Sequence, residues 1–115
     1  MKYGFIVEGF NDEFKLKAVL PHVHVVVTKG TRLNNRVRMD IRSALEKCDA
    51  VFLLTDPDDA GKIIAEKLQK EFPMLERIEL DVKECKCVRN NRLKIGMEHA
   101  DKHYLAGVLQ KYVTE

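Results

Sequence analysis

The chain has 115 residues, 45% of them hydrophobic and 33% charged, with a formal net charge of +2, an ordinary globular balance that can bury a core and whose bulk charge names no partner. Three Pro, six Gly and no low-complexity tract exclude a disordered chain, and no apolar run approaches the ~20 residues that a membrane span needs. Three cysteines (Cys48, Cys85, Cys87) and an N-terminus that gains acids by Glu8 argue against a secreted disulfide framework and a signal peptide, and for a reducing cytoplasm.

Tyr3 to Val7 is a short, mostly apolar run that predicts a first strand ending at Glu8-Gly9. Asn11 is placed to cap a helix over about residues 11–20, with Leu16, Val19 and Leu20 on one face and Pro21 as its stop. Residues 23–27 form a β-branched run, the mark of a buried strand, and Thr28 opens a loop. Asn34 or Asn35 then starts the clearest helix of the chain, in which Val37, Ile41, Ala44, Leu45 and Cys48 make one apolar stripe. Residues 50–54 predict a third strand, 60–72 a helix, 76–80 a fourth strand, and a terminal helix carries Tyr104, Leu105, Val108, Leu109 and Tyr112. The stretch 81–100 shows no period, and a stretch that long either serves a site or contains a short strand.

Strands alternating with helices imply an α/β domain: an open, mostly parallel four-stranded sheet with helices on both faces, spanning 1–115 as one unit. Ligand sites in such sheets lie beyond the carboxyl ends of the strands. That rule selects Glu8 after the first strand and Asp56 after the third, which meet if those strands are neighbours. Asp56-Pro57-Asp58 sets two carboxylates two residues apart on a turn stiffened by proline, a donor type suited to Mg²⁺, and Asp59 is assigned to capping the next helix. A lone Asp-x-Asp is more often turn chemistry than a site, and the Glu ending an apolar strand shifts that balance.

Val7-Glu8-Gly9-Phe10-Asn11-Asp12, followed about fifty residues later by Leu54-Thr55-Asp56-Pro57-Asp58-Asp59-Ala60-Gly61, resembles the Toprim domain of topoisomerases, bacterial primases and small nucleases. That pattern is an apolar strand with Glu-Gly-x-x-Asp, then a second strand with Asp-x-Asp-x-x-Gly, and the resemblance covers about residues 3–80. Thr55-Asp56-Pro57-Asp58 and Gly96-Met97-Glu98-His99-Ala100 further resemble the Toprim domain of the nuclease that matures 5S ribosomal RNA, ribonuclease M-five. The position of Phe10, usually basic in those nucleases, departs from the pattern. They also carry a further C-terminal portion that helps grip RNA, so a partner protein supplying such contacts is an expectation here.

The resemblance implies a Mg²⁺-dependent nuclease (Mn²⁺ as a substitute) acting on structured RNA, ribosomal RNA included, or on DNA, in the cytoplasm. Glu8 becomes the general acid or base or a shared metal ligand, and Asp56 and Asp58 hold the ion. Gly9, Asp12 and Gly61 support the loops. Bases cluster in 29–38 and 83–94, and Lys29, Arg32, Arg36, Lys94 and His99 are expected on the nucleic-acid phosphates. The alternative is an accessory Toprim module that binds nucleic acid or a partner protein without catalysis. Cys85 and Cys87 with His99 and His103 raise structural zinc, but Cys-x-Cys is tighter than the usual ligand spacing, which argues against it.

Overall fold

A computed structural model describes residues 1–30 and 32–113. Seven elements alternate along the chain: β1 (Tyr3–Val7), α1 (Phe10–Val19), β2 (His24–Val27), α2 (Asn35–Lys47), β3 (Ala50–Leu53), α3 (Asp59–Glu71) and β4 (Glu76–Arg77). The strands stand in the order β2-β1-β3-β4 with every pairing parallel. Parallel neighbours need crossovers, and each helix supplies one.

The strand residues alternate between two packed layers. Tyr3, Phe5 and Val7 of β1 and Phe52 of β3 face Leu16 of α1 and, from the terminal helix α4 (Lys102–Leu109), Leu105 and Leu109. Ile6, Val26, Val51 and Leu53 face Val37, Ile41 and Ala44 of α2 and Ile64 and Leu68 of α3. Leu16, Ile41 and Leu68 are fully buried, each contributing roughly 1.5–3 kcal/mol of apolar transfer. No helix among the described residues is long and apolar enough to cross a membrane.

Element boundaries follow local chemistry. Asn34 caps α2, its side-chain oxygen accepting the Val37 N–H at 2.9 Å. The first helix starts at Phe10 with Gly9 as its cap, earlier than the Asn11 expectation, because the Asp12 carboxylate reaches back to the Gly9 N–H at 3.1 Å. The expected fourth strand is much shorter than 76–80: only Glu76 and Arg77 pair in register with β3, and Ile78 N–H reaches Leu53 O at 2.9 Å. Ile78 and Leu80 are buried without extending the ladder.

The aperiodic stretch holds real structure. A 3₁₀ turn (Val82–Glu84) leads into an antiparallel hairpin of β5 (Lys86–Arg89) and β6 (Arg92–Ile95), then a second 3₁₀ turn (Met97–His99). Asn90 and Asn91 link the hairpin strands with φ of 50° and 61°, the left-handed conformation that a two-residue hairpin turn needs at both positions.

Candidate active site at the carboxyl ends of the strands

The strand order reverses between β1 and β3, since β1 is followed by β2 on one side and flanked by β3 on the other. That switch point opens a crevice at the carboxyl ends of the two strands. Glu8 enters from the end of β1 and Asp56 from the loop after β3. Although 48 residues apart, they meet: Glu8 Oε2 accepts the Asp56 N–H at 2.7 Å. Asp56 Oδ1 accepts the Met97 N–H at 2.8 Å, and Asp58 Oδ1 accepts the Gly61 N–H at 2.7 Å. Backbone donors therefore orient all three acids. A cleft of about 250 Å³ is lined by Glu8, Asp12, Asp56 and Glu98 together with Phe10 and Gly96.

One further hydrogen bond holds the loop 54–58, and a glycine lets the next helix come close beneath it. Arg77 Nη2 donates to the Asp56 carbonyl at 3.2 Å. A Cβ on Gly61 would stand 1.9 Å from that same carbonyl oxygen, so only glycine lets α3 start so close beneath the loop.

Crowded acids in a half-buried cleft hold their protons tightly. Burial pushes the Glu8 carboxyl up to about 7, helped by the charges of Asp56 and Asp58 and opposed by the Asp56 N–H. Burial also raises Asp12 to about 7, with the charges of Asp56 and Glu98 adding to it. Asp56 is raised by burial and by Asp58, against the pull of the Met97 N–H and of a hydrogen bond with the Glu8 side chain. Burial and mutual repulsion thus raise both members of the pair above the ordinary carboxylate range. Mg²⁺ takes hard oxygen donors, often only one or two carboxylates, and keeps several waters. The Glu8–Asp56 pair fits that demand. Among the described residues no group of three or more Asp, Glu, His or Cys side chains is already placed to hold an ion.

A Toprim domain profile matches residues 4–92, which include every acid of the cleft except Glu98. The chain belongs to the Toprim family. This Toprim chain is 33% identical over 109 residues to Ribonuclease M5 of Mycoplasma pneumoniae, a match covering 94% of this chain and 58% of that protein. The chain therefore spans less than two thirds of that relative's length. A solved structure of a small TOPRIM domain protein from Bacillus stearothermophilus superposes with a TM-score of 0.75 at 28% identity, covering 96% of this chain and 88% of that one. The α/β fold with a parallel four-stranded sheet expected from the Toprim resemblance is the fold found.

The structure brings together some of the expected site residues and separates others. Glu8, Gly9, Asp12 and Asp56 share the cleft, with Asp58 beside it. The capping role expected of Asp59 belongs to Asp58, because the helix begins one residue earlier and the carboxylate three residues before Gly61 is the one in reach. Lys29 follows β2 with a left-handed φ of 60°, and its Nζ lies 5.3 Å from the Phe10 ring centroid. Arg36 bonds Asp40 at 2.8 Å and the Val27 carbonyl at 3.3 Å. Arg32 is exposed between β2 and α2. Lys94 lies on the exposed hairpin, and His99 stands with Nε2 3.5 Å from Glu98 Oε1 rather than lining the cleft.

Three contributors escaped the sequence reading. Glu98 lines the cleft, and its signal in the sequence is its place beside His99 in Gly96-Met97-Glu98-His99-Ala100. Met97, fully buried among the apolar residues around α4, presents its N–H to Asp56. Arg77 braces the loop from β4. Cys85 is buried in the same core as Met97, and burial pushes its thiol up to about 11.

Proposed function

We propose that this Toprim domain is a Mg²⁺-dependent phosphodiester hydrolase, with Mn²⁺ as a substitute, that cuts structured RNA in the cytoplasm. The observation that carries the reading is the 2.7 Å contact between Glu8 and the Asp56 N–H across the β1–β3 switch point. It gathers acids distant in sequence at the place where open α/β sheets bind ligands. Likeness to Ribonuclease M5 favours RNA, ribosomal RNA in particular, over DNA.

In this reading Asp56 and Asp58 hold the ion, directly or through water, with Glu8 sharing it or acting as acid and base. When bound, the ion neutralises charge on the phosphoryl oxygens and acidifies a water. Burial, the largest cause that raises Glu8 in the metal-free cleft, favours its protonated form and suits it to giving and taking a proton. Met97 and Gly61 fix one oxygen each of Asp56 and Asp58, so neither acid must reorganise when the substrate arrives. Lys29, Arg32, Arg36, Lys94 and His99 contact the phosphates flanking the cut, and a partner protein adds further RNA contacts.

A Mg²⁺-titrated cleavage assay on a 5S ribosomal RNA precursor, a generic RNA duplex and a DNA duplex tests this. Cleavage of RNA that rises with Mg²⁺ and disappears in Asp56→Asn is expected. Binding without cleavage at any Mg²⁺ concentration would replace the enzyme by the accessory module that only binds nucleic acid.

A further inference from the structure

Among the described residues, Phe10 is the one that lines both the acidic cleft and a second groove, of about 440 Å³, running along the open edge of β2. That groove carries Lys29, Arg36 and Lys47 against Glu13 and Asp40. Arg36 and Asp40 are already paired at 2.8 Å and Glu13 lies 3.5 Å from Lys17, whereas the Lys29 ammonium stands 5.3 Å from the ring centroid of Phe10 at the shared lip. An apolar ring at such a junction has no core to fill: Phe10 is 61% exposed.

The loop that brings Lys29 to the ring is held on purpose. Lys29 adopts a left-handed backbone, φ 60°, a conformation that costs residues other than glycine, asparagine and aspartate and that clusters at functional sites. Gly30 N–H donates to the Glu8 carbonyl at 3.2 Å, and Thr28 Oγ1 donates to the Gly30 carbonyl at 2.8 Å. This ties the loop to the residue that follows β1 and sets the Lys29 ammonium 5.3 Å from the Phe10 centroid. Phe14, one turn further along α1, is more exposed still at 81%, yet it lines neither cavity. Exposure alone does not single out Phe10; its position does.

We infer that Phe10 is a stacking platform for an unpaired nucleobase beside the acidic cleft, with Lys29 receiving that nucleotide's phosphate. The chain then selects RNA that offers a single-stranded nucleotide next to the phosphate in the cleft. Every base has a π-face, so the contact tolerates sequence, whereas a base paired within a duplex is already stacked on its neighbours and cannot lie on the ring. The inference rests on the nucleic-acid reading above.

The test is fluorescence anisotropy in Mg²⁺ with a short, phosphorothioate-linked single-stranded RNA, which resists hydrolysis, and with the blunt duplex of the same sequence. Phe10→Ala should weaken single-strand binding roughly five- to 100-fold and duplex binding by less than about twofold. Phe10→Trp should restore it, and Phe14→Ala should leave both probes unchanged. Equal losses on the two probes, no loss at all, no rescue by Trp, or a loss from Phe14→Ala as large as that from Phe10→Ala overturns the platform while leaving the nuclease reading standing. If the unaltered chain binds neither probe, the nucleic-acid reading falls, and the platform with it.

Discussion

Gly61→Ala and Gly107→Ala make the same chemical change in two helices, and the structure assigns them opposite signs. In a helix interior, alanine is favoured over glycine by about 0.8–1.0 kcal/mol. A Cβ at Gly107 in α4 meets nothing within 4 Å, so Gly107→Ala should show that gain nearly undiminished. At Gly61 the Cβ would lie 1.9 Å from the Asp56 carbonyl oxygen, 2.8 Å from its carbon and 3.0 Å from its nitrogen. The loop would have to retreat by roughly 1.5 Å to regain ordinary contact. The obstacle is backbone, not the end of a flexible side chain, which puts the cost at the upper end of the 1–3 kcal/mol typical of overpacking, or beyond it. Net of the propensity gain, Gly61→Ala should destabilise by about 2 kcal/mol, a fall in Tm of roughly 8 °C or more for a domain of this size. The same retreat would stretch the Glu8 and Asp58 contacts at 2.7 Å, so Mg²⁺ affinity should fall with it. Calorimetric melts of the unaltered chain and the two variants decide the matter. A Gly61→Ala melt at or above that of the unaltered chain would show that α3 does not start against the Asp56 backbone as described.

Three further outcomes follow from the acids and bases. Asp58→Asn should abolish Mg²⁺-dependent cleavage while the far-ultraviolet circular dichroism stays unchanged, because an amide oxygen can still accept the Gly61 N–H; undiminished cleavage would remove Asp58 from the metal site. In chelator-treated buffer, stability should fall as pH rises: Glu8 and Asp12 are raised in the fold from 4.5 and 3.8 to about 7, so the folded chain binds more protons across that window. The stabilisation is complete below about pH 4 and is lost as pH passes about 7. Mg²⁺ should restore part of it, Asp12→Asn should shrink the drop, and a melting temperature that stays flat or climbs over the window contradicts the shifts. Arg32→Ala combined with Arg36→Ala should reduce the salt slope of RNA binding by about 1.5, each phosphate contact being worth ~0.7–0.9; an unchanged slope places both bases outside the footprint.

The fold was legible wherever burial is one-sided or complete. The α2 stripe and the apolar runs of β1, β2 and β3 announce themselves because their side chains have a single place to go. Residues 78–80 misled for the same reason: Ile78 and Leu80 alternate with Glu79 and are buried, yet alternation reports burial and not the hydrogen bonds that define a ladder. The hairpin failed in the opposite way. Val88 is 70% exposed and Leu93 59%, so neither face of β5 and β6 is dry and no period of two survives to be read. Its one local signal was Asn90-Asn91, a residue type that tolerates the left-handed turn.

The candidate site was legible where identity carries chemistry and opaque where the backbone does. Acids after apolar strands pointed to the carboxyl ends of the sheet, but the adjacency of β1 and β3 is a tertiary fact, expressed in the Glu8 contact to the Asp56 N–H. The Met97 N–H could belong to any residue but proline, so no pattern of residue types can reveal that it orients Asp56. Capping and metal binding look like rival uses of an acid, one for Asp59 and one for Asp58, yet Asp58 is the cap. A carboxylate has two oxygens. Asp58 spends Oδ1 on the Gly61 N–H, and that bond fixes the side chain without consuming the second oxygen. Capping is therefore a means of aiming an acid at a site, and a helix that starts immediately after a sheet's carboxyl end is where both uses fall on one residue.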